Sequence, residues 1–157
     1  MKHQAIIGID PGQKGGICVR PIFGPKQIHL YPMPLLDEGI DWAGLAAILE
    51  GTPGKVFVEV AHAMPKQGVS STFKFGLNYG GIFGVCGALG LPTELVRSQA
   101  WKKEILADYE DRNKEAAIDC FSKVWPQDML IPKGCRKPQD GLADAWCISE
   151  YGWRSRG

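Results

Sequence analysis

The sequence predicts a mixed α/β domain built on a single sheet. Three observations point that way: three short apolar segments joined by Gly/Pro turns open the chain, a strongly β-forming segment follows an amphipathic helical one, and helical patterns fill the last third. The order is three strands, helix, strand, helix, strand, helices. A length of 157 residues with 45% hydrophobic content is enough for one domain, spanning 1–157, with a sizeable core and no need of staples.

Residues 5–10 (AIIGID) read as a buried strand stopped by Pro11-Gly12, and 15–19 (GGICV) as a second strand after a tight turn. Residues 27–31 (QIHLY) alternate apolar and polar, as a third strand would, which makes an antiparallel meander. Residues 41–50 read as a helix with Asp41 as N-cap and Gly51 as stop. Residues 55–60 (KVFVEV) form the next, central strand, followed by a Gly/Pro/Ser-rich loop over 61–71.

A long helix is expected over 72–89. Gly76, Gly80, Gly84 and Ala88 recur every four residues and share one face, which allows a close approach by the sheet or by a partner subunit. The same spacing occurs in membrane dimers, but Lys74, Asn78 and Tyr79 at its start and the many glycines argue against a span. Residues 93–96 read as a fifth strand, 112–124 and 140–151 as helices, and 131–139 as a loop.

The chemistry lies in four acids. Asp10 ends a buried strand, where a carboxylate is costly unless paired; by itself it also suits an Asp-Pro-Gly turn. Glu59 interrupts VFVEV, sharing a face with Phe57 while Val56, Val58 and Val60 share the other. Asp140 and Asp144 lie one helical turn apart on one face. Asp140 is also a natural N-cap, whereas Asp144 sits among Leu142, Ala143, Ala145 and Trp146, in packed surroundings. Hard divalent cations take oxygen ligands, and carboxylates from separate elements can close a site that clamps a phosphodiester.

The net charge of +1 neither favours nor excludes a polyanion partner, so basic residues must be localised. The clusters are Lys66 with Lys74, Lys102 with Lys103, Lys133 with Arg136 and Lys137, and a tail with Arg154 and Arg156. The five cysteines form no CxxC pair and no paired-His spacing accompanies them, which speaks against zinc or a disulfide framework. The N-terminal apolar run is too short for a signal peptide, so cytoplasmic residence is expected.

GIDPG at 8–12, GG at 15–16, Glu59 within VFVEV and DGLADA at 140–145 resemble the RuvC-type Holliday junction resolvases of the ribonuclease H-like superfamily, most closely their small phage-borne members. The motifs cover nearly the whole chain. Residues 63–81 look like the loop and long helix after the family's catalytic Glu, and 96–103 (VRSQAWKK) like its next strand and basic turn.

The resemblance implies a five-stranded mixed sheet, three strands antiparallel and the rest parallel, flanked by helices. It implies Asp10, Glu59, Asp140 and Asp144 as catalytic, metal-holding acids, with two Mg²⁺ ions for which Mn²⁺ substitutes. It also implies cleavage of a four-way DNA junction to 5′-phosphate and 3′-hydroxyl ends, and a homodimer with Gly76, Gly80 and Gly84 at its interface. A phage-encoded member would act in the host cytoplasm. Lys66, Gln67, Lys102, Lys103, Lys133, Arg136 and Lys137 are the expected DNA contacts.

Two departures stand out. The last two acids are four residues apart here and three in bacterial members, although Ala145 follows Asp144 as in the family. The aromatic wedge that bacterial members carry after the Glu is replaced by a stretch with His62 and Met64. Competing readings are a general nuclease of flaps and forks, an inactive DNA-binding scaffold, and an actin-like nucleotide-binding module, which needs a longer chain.

Overall fold

The computed structural model describes residues 4–37, 39–60 and 68–156. Its main sheet has five strands: β1 (Ala5–Asp10), β2 (Gly16–Pro21), β3 (His29–Pro32), β6 (Gly54–Glu59) and β7 (Thr93–Val96), in the order β3-β2-β1-β6-β7. β1, β2 and β3 are antiparallel neighbours, while β6 and β7 run parallel to β1. The expected mixed sheet is present. Hairpin turns suffice for the first three strands, whereas the parallel ones need crossovers. These are α1 (Trp42–Leu49) and α2 (Val69–Ala88).

A two-stranded hairpin, β4 (Leu35–Leu36) with β5 (Gly39–Ile40), follows β3. After β7 come α3 (Ser98–Ile105), α4 (Lys114–Ser122), a 3-10 turn (Gln127–Leu130) and α5 (Asp140–Arg154).

Strand alternation sorts the core into two halves. Ile6, Cys18, Phe57 and Val96 pack under α5 with Trp101, Phe121 and Trp146. Ile7, Ile9, Val56 and Val58 pack on the other side with Leu45, Ile82 and Cys86 of α1 and α2. Asp10 and Glu59 continue the α5-side rows, so the sheet aims both toward α5.

Several expectations shift. The third strand starts later than expected, at His29, because its ladder with β2 begins where His29 pairs with Val19. The helix expected over 112–124 is shorter, because the Asn113 side chain accepts from Ala116 N and fixes the start. Asp41 does cap α1, accepting from Gly44 N, and Gly51 stops it at φ +72. Asp140 is not an N-cap: Gln139 holds that place and Asp140 lies in the first turn. The hairpin, α3 and the 3-10 turn lie outside the sequence reading.

The five cysteines are free; Cys18, Cys86 and Cys147 are buried and Cys135 is exposed. No helix among the described residues is long and apolar enough to cross a membrane.

Candidate metal and nucleic-acid site

Glycines let the backbone elements meet. A Cβ at Gly8 would lie 2.5 Å from Ser149 N, so α5 rests directly on β1. A Cβ at Gly15 would overlap the Asp10 carbonyl oxygen, and one at Gly141 would lie 2.7 Å from Gly15 Cα. The start of α5 therefore sits backbone-to-backbone on the turn that follows Asp10. Ile9 pairs with Val58, so Asp10 and Glu59 are the next residues along adjacent parallel strands, roughly 4.8 Å apart in the sheet.

On α5, residues Gly141 to Ser149 are all buried except Asp144, which is half-buried and turned toward this meeting point. Burial, then the charges of Asp144, Glu59 and Asp140, push the Asp10 carboxyl up to about 7. Burial and the charges of Glu59 and Asp140 likewise push Asp144 up to about 7, while Lys102 and Lys114 pull it down. Residues 10, 59, 140 and 144 thus sense one another's charge across the fold.

Lys114 is a site residue that the sequence reading missed. Its ammonium lies 2.6 Å from Asp140 Oδ2, and that partner raises its pKa. Only its place one residue after the Asn113 cap could have signalled it, because that fixes the side chain at the start of α4.

Among the described residues, no three His, Cys, Asp or Glu side chains form a ready-made cage for a metal ion. The donor set still suits a hard divalent cation: all four groups are carboxylates, two of them at a cost in ionisation that positive charge would relieve.

Several basic residues have protein partners: Arg20 and Arg154 on Glu150, Lys55 on Glu94, Lys123 on Asp119. Arg112 donates to the Leu106 carbonyl, and Lys26, Arg156 and Lys102 lie over Trp125, Trp153 and Trp101. Among the described residues, no ion pair engages Lys14, Lys74, Arg97, Lys102, Lys103, Lys133, Arg136 or Lys137. Lys14 lies in the turn after Asp10, Lys102 faces Asp144, and Lys133, Arg136 and Lys137 lie exposed in the loop entering α5. Lys66, Gln67, His62 and Met64 lie outside the described residues.

Gly76, Gly80 and Gly84 do not pack on the sheet: a Cβ at any of them would meet nothing within 4 Å. They line an open groove of about 430 Å³ with Trp42 and Leu77. Gly81, not part of the stripe, is the one that packs, against the Trp42 ring.

The chain resembles several solved structures over nearly its whole length. A Thermus thermophilus RuvC in complex with a Holliday junction substrate is 21% identical, covering 98% of this chain and 96% of that one, with a TM-score of 0.66. A second Thermus thermophilus RuvC structure is 19% identical, covering 97% and 95%, with a TM-score of 0.63. The yeast mitochondrial Holliday junction resolvase is 13% identical, covering 94% and 76%, with a TM-score of 0.59. No protein-family model and no curated protein matches. At these identities the likeness carries the fold, which is ribonuclease H-like.

Proposed function

We propose that the chain is a divalent-metal-dependent endonuclease of branched DNA, with the four-way junction as its substrate. The supporting observation is the convergence of Asp10, Glu59, Asp140 and Asp144 from two strands and one helix, with Asp10 and Asp144 both held at about 7. The neighbour solved with a Holliday junction substrate adds the substrate class.

Asp10, Glu59, Asp140 and Asp144 would hold the cation: Mg²⁺, with Mn²⁺ as substitute, and two ions at full loading. Bound there, it supplies charge neutralisation on the phosphate and a lowered water pKa. The chain's own cations do the rest. Lys114 fixes Asp140 in the first turn of α5, and Lys102 offsets the charge of Asp144. Lys133, Arg136 and Lys137 grip backbone phosphates beside the site, with Lys103, Lys66 and Gln67 as further contacts. Below about pH 7, Asp10 and Asp144 keep protons that a cation must displace.

The working unit is a homodimer of single-domain subunits in the cytoplasm, acting in DNA recombination and repair. Gly76, Gly80 and Gly84 form an open face beside the exposed Phe73 and Leu77, suited to the same patch of a second copy.

Cleavage of a mobile four-way junction in Mg²⁺ tests this reading. Paired symmetrical nicks are expected. Equal cutting of flaps and forks would assign the broader nuclease, and no cutting in Mg²⁺ or Mn²⁺ would overturn the reading.

A further inference from the structure

We propose that Arg97 holds the phosphate next to the scissile one on the cleaved strand, on the α2 side of the sheet; this rests on the nuclease reading above. β7 ends at Val96, which pairs with Glu59, and Val60 N donates to Val96 O at 2.7 Å. Arg97 is therefore rooted one strand away from the residue that follows Glu59 and two strands from the end of β1, roughly 5 and 10 Å across the sheet.

Its backbone is extended, at φ −71 and ψ 138. Val96 packs on the α5 side, so alternation sends Arg97 to the opposite side of the sheet from Lys102 and Lys114. The cations then straddle the carboxylates. A DNA strand with one phosphate at the carboxylates crosses the sheet end, and its neighbouring phosphate falls to Arg97.

The side chain is exposed, and among the described residues it has no ion pair and no hydrogen bond. At the other face of the same strand, Glu94 neutralises Lys55 at 2.6 Å. A guanidinium left open on a residue rooted at the same end of the sheet as the carboxylates suits a bidentate grip on a phosphate.

The test measures binding of a four-way junction in EDTA, so that no cleavage intervenes. Wild type, Arg97→Gln and Lys123→Gln are compared over a salt series, each with junctions carrying single methylphosphonates near the cleavage site. Arg97→Gln should lower the slope of log K against log salt by about one. The methylphosphonate beside the scissile phosphate should weaken wild type and Lys123→Gln and leave Arg97→Gln indifferent. A wild-type slope in Arg97→Gln, or equal weakening of Arg97→Gln and wild type at every position, overturns the inference. A wild type that does not bind the junction overturns the nuclease reading along with it.

Discussion

The Lys114 ammonium lies 2.6 Å from the Asp140 carboxylate and ties the start of α4 to the start of α5. Lys114 is exposed, so the pair contributes little to stability by itself. Its consequence is positional: it sets the Asp140 carboxylate beside Asp10 and Asp144. Lys114→Met should leave the melting temperature nearly unchanged while cutting junction cleavage at least about tenfold. Single-turnover cleavage beside a thermal melt checks this, and a large drop in melting temperature with normal cleavage would contradict it.

Asp144→Asn removes a carboxylate that burial and Glu59 push up to about 7. Cleavage in Mg²⁺ should be lost and junction binding largely kept. The metal-free protein should gain stability near pH 8, on the order of 1 kcal/mol, because crowded charge is removed. Denaturant melts in EDTA measure this; equal loss of binding and cleavage would instead make Asp144 structural.

Asp10 and Asp144 are raised from 3.8 to about 7 in the folded chain. The folded state therefore binds more protons than the unfolded one between these values. Their contribution is fully present below about pH 4 and is lost as pH rises through about 7. Without divalent metal, stability from these two groups should fall across that window. Saturating Mg²⁺ should restore it above pH 7, since it binds the ionised form. Melting temperatures from pH 5 to 8, with and without Mg²⁺, decide the matter.

Two glycines should behave oppositely. Gly141→Ala drives a Cβ to 2.7 Å from Gly15 Cα and into the Lys14 carbonyl oxygen, pushing α5 off the Asp10 turn. A cost of about 1–3 kcal/mol and a loss of cleavage are expected. Gly80→Ala meets nothing within 4 Å. It should stabilise the subunit by about 0.5–1 kcal/mol through helix propensity while weakening self-association. Sedimentation and melts of both variants separate the two effects.

Much of the fold was legible because its signals are local. VFVEV reads as a strand by β-branching, and the strand over 93–96 falls where Pro92 ends the preceding turn. Asp41 reads as a cap because its side chain can serve Gly44 N within one turn. Alternation through VFVEV also sets Glu59 on the face of Phe57, opposite Val56 and Val58.

What stayed hidden depends on packing between distant segments. α3 buries only Trp101 and Ile105, too few for a clear period in eight residues. Asp140 looked like a cap because its type suits one, yet the chain enters α5 one residue earlier and Asp140 turns to Lys114. Nothing local joins Lys114 to a helix 26 positions further on. The glycine stripe allows a close approach by the sheet or by a partner subunit; only the structure shows that the sheet makes none.

The most direct measurement is Mn²⁺ binding at pH 8 to wild type, Asp10→Asn, Glu59→Gln and Asp144→Asn. If carboxylates from β1, β6 and α5 share one cation site, each single variant loses the same high-affinity binding, however far apart the residues lie in the chain. A variant of this set that binds Mn²⁺ as tightly as wild type would contradict that shared site.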